Sequence, residues 1–343
     1  MKKISILIIF LFYGNLFSDP YEQLNIDFLK KKKIQETKQV PKTKSQKNNL
    51  PSYEDKIKDL LFSPGLFDFY WDKNKNKLFI SIKPDQFGET FLANLTRQSG
   101  DAYYYDSSNL MDEFPFTFNK VANIIQLIHI NVLFRADKSK AISRAVDNDF
   151  SNSVVASSIQ VTRESTETGA ILVEANKLFL RDIGNISQQG GGRYKFDITN
   201  SYFNKINSFP DNSEIDLIAH YKSIKSTNAF TLPDSRSMEI RYHISLSALK
   251  NNNFKPRAVD DRIGYFSTIY QDYTNTLQET QYIRYINKWN LVKKDKNSPL
   301  SEPVKPIVFW IENKVPEEFR DAIRDGILGW NKSFEKIGFK NAV

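Results

Sequence analysis

Apolar and polar positions fall into stretches of different period, and those periods predict the elements. Residues 6–12 are an unbroken apolar run behind Lys2 and Lys3, broken by Gly14 and Asn15. Residues 19–50 are rich in Lys, Gln, Asn and Thr and carry few large apolar groups, a composition that predicts a flexible linker. From Leu50-Pro51 onward the signal is mostly β. Lys77–Ile82 (KLFISI) has strand composition, with residues 72–76 as the turn before it. Residues 87–95 fit the next strand or a short connection. Residues 123–134 (NIIQLIHINVLF) read as a mostly buried strand, and further strands are expected at 154–155, 170–173, 193–197, 214–220 and 239–249. Residues 178–183 read as helical. No internal repeat at a solenoid period is present.

The pattern changes at Pro303 and Pro306. Residues 307–312 (IVFWIE) predict a short apolar strand. The helix expected next has Pro316 at its start, Glu317 and Glu318 in its first turn and Gly338 just past its end. Its apolar residues, Phe319, Ala322, Ile323, Ile327, Trp330, Phe334 and Ile337, are spaced by threes and fours and share one face. Gly326 and Gly329 weaken the helix but permit close approach of a partner. One strand and one helix cannot bury both their faces, and the sequence stops at Val343, so residues 301–343 are expected to begin a domain whose remainder is missing.

At 343 residues, with 40% hydrophobic residues, 26 Phe and 16 Tyr, the chain can fill substantial cores in two or three domains. Cysteine is absent, which removes disulfides, thiolate metal sites and cysteine nucleophiles. The net charge of +8 suggests nucleic acid until it is located. Residues 30–47 hold eight lysines against Glu36, and Lys2 and Lys3 add two more charges, so the rest sums to about −1. A basic groove for a phosphate backbone is not indicated, and no nucleic-acid partner is expected.

Lys2-Lys3, the apolar run and Leu16-Phe17-Ser18 have the layout of a secretory signal peptide over residues 1–18, cleaved after Ser18. The run is too short for a spanning helix, and no later segment is long and apolar enough. No cysteine follows it, so a lipoprotein anchor is excluded. The protein is expected to be exported to the periplasm or the exterior, outer-membrane association included.

Candidate chemistry is sparse. The three histidines, His129, His220 and His243, have no metal-ligand spacing and read as packed or half-exposed residues. Asp260-Asp261-Arg262 is the most tempting acidic cluster, but adjacent carboxylates beside an arginine more often cap a turn or pair with it. Glu317 and Glu318 favour a helix start rather than form an acid–base pair. Tyr103-Tyr104-Tyr105 fits a mixture of core and loop-anchoring tyrosines better than a recognition surface. Residues 188–192 (QQGGG) lack the Lys-Ser or Lys-Thr of a phosphate loop. Scattered serines and aspartates do not by themselves make a Ser-His-Asp triad.

The run LSEPVKPIVFWIENKVPEEFRDAIRDGILGWNKSFEKIGFKNA (300–342) resembles the opening of the catalytic domain in a family of large secreted bacterial zinc-dependent metalloproteases. DDRIGYFST (260–268) and YIRYINKWNLVKKD (282–295) resemble the segments preceding that domain. SPGLFDFYWDKNKNKLFISIKPDQFGETFLANL (63–95) resembles, less specifically, the first of its accessory domains. In that family β-rich domains of unknown function come first and a metzincin-like domain follows. Its zinc site is a His-Glu-x-x-His helix with a third His further on, in which two histidines share a helix face and the Glu activates the bound water. This sequence holds no such motif, so no catalytic, cofactor-binding or metal residue is carried over. Zinc is expected only in a full-length relative.

The fold class expected is α+β, predominantly β: a β-rich accessory body followed by the first strand–helix unit of a zincin-like α/β catalytic domain. The divisions expected are a signal peptide (1–18), a Lys-rich linker (19–50), a small accessory domain (51–100), a β-rich domain of unknown function (101–300) and the catalytic start (301–343). The function implied is that of an N-terminal accessory region of a metalloprotease that acts on peptide or protein substrates, inactive alone. Its partner would be the remainder of the catalytic domain, in cis or as a separate chain, met through Phe319, Ile323, Ile327, Trp330 and Phe334. The alternatives are an exported non-catalytic β-rich binding or structural protein, and one half of a split protease.

Overall fold

The computed structural model describes residues 50–343 apart from 102–104, 106–107, 189–191, 227–228, 251–253 and 276. The expected signal peptide, the linker up to residue 49, and Tyr103 and Tyr104 lie outside the described residues.

The organising strand is β3 (Lys77–Ile82), whose near-continuous apolar sequence is buried on both sides. It pairs antiparallel with β2 (Asp68–Asp72) and β9 (Ile171–Glu174), and β2 pairs with β1 (Leu61–Ser63), giving a four-stranded sheet in the order β1-β2-β3-β9. Leu78, Ile80 and Ile82 face a large core shared with a second sheet, while Phe79 faces a smaller cluster with Tyr53, Tyr70 and Leu172. Tyr53 belongs to helix α1 (Tyr53–Ile57), which covers this outer face, and its hydroxyl donates to Ser81 Oγ at 2.7 Å. The expected turn before β3 is a single 3₁₀ turn over Lys73–Lys75, closed by Asn76 at φ 51°, a conformation Asn tolerates.

The second sheet has eight strands: β4 (Phe91–Ser99), β5 (Asn109–Val121), β6 (Ile124–His129), β8 (Ser153–Ile159), β10 (Lys195–Phe196), β11 (Tyr202–Ser208), β12 (Asn212–Lys222) and β13 (Ser237–Ala248). Its order is β10-β12-β13-β4-β5-β6-β8, with β11 also paired to β12. Register shifts at Phe203/Lys205, Arg241/Tyr242, Leu95/Thr96 and Leu127/Ile128 bend it. The chain is therefore predominantly β. A third sheet joins β15 (Tyr282–Ile286) and β14 (Ser267–Asp272) antiparallel, with β7 (Phe134–Arg135) parallel to β14. Helix α2 (Ile142–Asp149) follows β7, and helix α3 (Asn176–Phe179) follows β9.

Between the two large sheets, Phe67, Phe91, Phe116 and Phe118 form a connected aromatic group with ring centroids 4.9–5.5 Å apart. Phe67 is the keystone. Its N–H donates to Ser213 Oγ at 3.2 Å, and its carbonyl accepts from Ser208 Oγ at 2.7 Å, which ties the approach to β2 onto the β11–β12 hairpin.

Several expectations need correction. A boundary at residue 100 does not follow the core, because β3 pairs with β9 and β4 lies inside the eight-stranded sheet. Residues 123–134 are not one mostly buried strand. β6 ends at His129, and within it Ile125 and Leu127 are buried while Ile124 is exposed, the alternation of a sheet with one face on the core. Of the helix expected at 178–183 only α3 forms, ending at Phe179, with Leu180 buried but no longer helical.

The C-terminal segment departs most. Residues 307–312 are not a strand. The Ile307 N–H donates to Ala342 O at 2.7 Å, but no ladder continues along Val308, Phe309, Trp310 and Ile311, and strand composition without a main-chain partner gives no strand. The single long helix is two, α4 (Glu317–Leu328) and α5 (Asn331–Lys336). At their junction the Trp330 N–H turns to Ile327 O at 3.2 Å, an i to i−3 bond next to Gly329, the poorest helix former there. Gly338 ends α5 as expected, at φ +91°.

Phe67→Ala is expected to destabilise the chain by about 3–5 kcal/mol in urea unfolding, because a fully buried ring between two sheets is removed. Phe62→Ala, at an exposed ring stacked on Tyr70, is expected to cost under about 1 kcal/mol. Equal effects would move the keystone away from Phe67.

Candidate functional site

The β12–β13 ladder brings together polar side chains that the sequence keeps apart. Along β12, Glu214-Ile215-Asp216 alternates polar and apolar; along β13, His243-Ile244-Ser245 does the same. The register sets Asp216 opposite His243 and Glu214 opposite Ser245. Ile215 and Ile244 enter the core, so the polar set shares the other face. His243 is gripped from both sides, Nε2 on Glu214 Oε2 at 2.6 Å and Nδ1 on Asp216 Oδ1 at 2.5 Å. Ser245 Oγ donates to Glu214 Oε1 at 2.9 Å, and Gln98 Nε2 to Asp216 Oδ1 at 3.1 Å.

The hydrogen bond to Glu214, reinforced by Asp216 and both negative charges, outweighs burial and raises the His243 pKa from 6.5 to about 9. Burial pushes Glu214 up, but hydrogen bonds from His243, Asn212 and Ser245 hold it below its ordinary value. His243 is therefore an imidazolium at neutral pH with both N–H groups committed. It has no lone pair for a metal and is already protonated, so it is neither a ligand nor a general base.

His220 stands at the other end of the same ladder. Its Nδ1 lies 3.2 Å from Asp197 Oδ2 and its Nε2 lies 2.8 Å from Ser237 Oγ. This is the connectivity of an acyl-transfer triad: carboxylate, imidazole, hydroxyl. Its surroundings favour a structural role. Asp197 caps the 3₁₀ turn Ile198–Asn200 and accepts from Asn200 Nδ2 at 2.7 Å and from Lys222 Nζ at 3.3 Å, and the Asn200 bond first, then Lys222, hold its carboxyl low against burial. Ser237 opens a regular strand, and its own N–H, a natural oxyanion donor, is committed to Asp234 O at 3.0 Å. The relay staples β10, β12 and β13 together at the sheet edge.

The remaining sequence candidates fall into structural roles. His129 stacks on Phe114 with centroids 4.5 Å apart, so the three histidines lie in three separate settings. Asp260 is held by Arg262 (Nε at 2.9 Å), and Asp261 by Arg284 (NH2 at 2.8 Å). Glu317 and Glu318 lie in the first turn of α4. Tyr105 packs against the main core beneath the Arg97 guanidinium. Among the described residues no group of three or more His, Cys, Asp or Glu is placed to hold a metal ion. Among them, too, no helix is long and apolar enough to cross a membrane. Both ladder clusters escaped the sequence because register alone assembles them. The period-two polar pattern of 214–216 and 243–245 was visible, its pairing was not.

A family profile described as Domain of unknown function (DUF5117) matches residues 108–294, more than half of the chain. The chain belongs to the DUF5117 family. The matched region runs from just before β5 to beyond β15, and so includes both histidine clusters and the third sheet. It leaves out β1 to β4, although these strands supply much of the core that the DUF5117 region packs against. No curated protein matches the chain, and no solved structure does.

Two outcomes are expected here. His243 has a raised folded pKa, so its contribution, on the order of 2 kcal/mol, is complete below pH about 6.5 and lost as pH rises through about 9. Unfolding free energy measured across that window should fall, and His243→Gln should flatten the fall; an unchanged slope would refute the double grip. A fluorophosphonate probe followed by mass spectrometry should leave Ser237 unlabelled, and stoichiometric labelling would make the relay an active triad.

Proposed function

We infer that this chain is the N-terminal accessory region of an exported zinc-dependent metalloprotease, itself lacking the catalytic motif. Residues 301–343 are, on this proposal, the first strand–helix unit of a zincin-like catalytic domain. The observation that carries it is the state of that segment. Trp310 is 91% exposed, Trp330 64% and Phe319 57%, Val308 and Phe309 are exposed beside them, and no residue of α4 or α5 is buried. Large apolar side chains side by side with a strand-like segment outside any ladder are what a β–α unit presents before its sheet neighbours are added.

The segment nevertheless has local order. Ser301 N–H donates to Gly338 O at 3.1 Å, and Lys340 N–H donates to Ser301 O at 3.1 Å. Asn331 Oδ1 accepts from the N–H groups of Ala342 and Val343 at 2.8 and 3.0 Å. The chain after α5 thus returns beside residues 301–307, leaving 308–311 and the α4 face for a partner. Support also comes from the resemblance of 300–342 to the opening of such a catalytic domain, and from the order of a β-rich domain of unknown function ahead of it. The partner proposed is the remainder of the domain in cis, meeting Phe319, Ile323, Ile327, Trp330 and Phe334.

Reading the coding DNA beyond the Val343 codon tests this. The expected outcome is an open frame that runs into a His-Glu-x-x-His helix. A stop codon directly after Val343 would sink the cis proposal and turn attention to a separate polypeptide or to a non-catalytic binding protein.

A further inference from the structure

A partly open cavity of about 210 Å³ lies against the eight-stranded sheet, flanked by α3 and the turn that follows it. Its walls are apolar: Ala93 and Leu95 from β4, Phe114 from β5, Leu127 from β6, Ile244 and Leu246 from β13, with Leu178, Phe179 and Ile183 above them. Four polar residues join this lining, Asn94, Asp112, His129 and Arg181, and Asn94 Oδ1 is buried there without a hydrogen-bond partner among the described residues.

Arg181 is the unusual member. Burial lowers its pKa, and the nearby Asp182 charge only partly offsets this. Asp182 is itself engaged elsewhere, accepting from Ile186 N–H at 3.0 Å, Ser187 N–H at 2.9 Å and Tyr221 Oη at 2.8 Å. Among the described residues the Arg181 guanidinium makes one hydrogen bond, Nε to Leu178 O at 3.2 Å, and no ion pair. That leaves the two terminal nitrogens, the pair that engages a carboxylate in parallel. Arg181 is half-buried, and its terminal nitrogens have no protein acceptor among the described residues, so a bound anion would pair them at an apolar wall. Asp112, the like charge for such an anion, also lines the cavity, on its exposed side, and accepts a hydrogen bond from Glu113 N–H. His129 is stacked on Phe114 at the same wall and offers a ring N–H.

We propose that this cavity binds a small amphipathic carboxylate, its apolar body among Leu95, Leu127 and Leu246 and its carboxylate on Arg181. The apolar lining fixes the body of the ligand, and one cation among apolar walls fixes the sign and position of its head. The volume admits one side-chain-sized group. Two sources carry that chemistry, a free short-chain or aryl acid and the C-terminal carboxylate of a peptide ending in an apolar residue. The proposal is independent of the protease assignment.

The test is calorimetric titration of the full chain with 3-phenylpropionate and with its uncharged counterpart 3-phenylpropan-1-ol. The acid is expected to bind at least about tenfold tighter than the alcohol, the worth of a desolvated charge-assisted pair. Arg181→Met should cut that preference to within about threefold while leaving alcohol binding in place, and Arg181→Lys should restore part of it. Should Arg181→Met fail to fold, Ala93→Leu, which fills the cavity from the β4 wall, is expected to abolish acid binding. Equal binding of acid and alcohol, no binding of either at millimolar concentration, or acid binding that survives Ala93→Leu would each overturn the proposal. N-acetyl-Ala-Phe distinguishes the sources: tighter binding than 3-phenylpropionate assigns a peptide C-terminus, weaker binding a free acid.

Discussion

The structure depends on the burial of β3 from both sides. A strand with only one apolar face can lie on a surface; β3 cannot, and that single requirement recruits the rest. Its inner face needs the eight-stranded sheet, which brings β4, β5, β12 and β13 against Leu78, Ile80 and Ile82. Its outer face needs α1 and Tyr53. Its free edge needs β9, almost ninety residues later in the chain, which anchors α3 and the turn carrying Arg181 above the large sheet. The aromatic group around Phe67 then fixes how far apart the two sheets lie.

This dependence bears on the family boundary. The DUF5117 match begins at residue 108, yet the strands that complete its core, β2, β3 and β4, precede it. A fragment cut at that boundary would expose Phe116, Phe118 and Ile125, all fully buried in the intact chain. The folding unit is thus larger than the sequence-similar unit. It includes the region 63–95, whose resemblance to a separate accessory domain concealed its place in a common core.

Local elements were legible where local chemistry decides them. The KLFISI strand, the Asp72–Asn76 turn, the acidic start of α4 and the glycine after α5 follow from propensity and capping alone. What failed was whatever depends on a partner distant in sequence. Residues 307–312 have the composition of a strand and lack its ladder; the same composition at 171–174 finds β3 and becomes β9. Leu178 to Ile183 have the apolar spacing of a helix, but Leu178 and Phe179 are drawn into the core and the helix stops after one turn. The Glu214–His243–Asp216 and Asp197–His220–Ser237 clusters need a two-strand register that no single stretch encodes.

Where chemistry remains available follows from what is already satisfied. The imidazole of His243 has both nitrogens committed to carboxylates, and Asp197 accepts from four groups, so the two clusters that look most like enzyme machinery are closed networks holding a sheet together. Catalysis draws on groups held short of satisfaction, and so does binding. Among the described residues Trp71 Nε1, Asn94 Oδ1 and Thr162 Oγ1 are buried without a partner, and two further places carry the proposed binding. One is the strand-like segment 308–311 with the apolar face of α4, short of a sheet; the other is Arg181, short of an acceptor in an apolar cavity. As proposed, the first, spread over a surface, would take a protein partner, and the second, confined, a small anion. Both are deficits of binding, a role that fits the accessory region proposed for this chain.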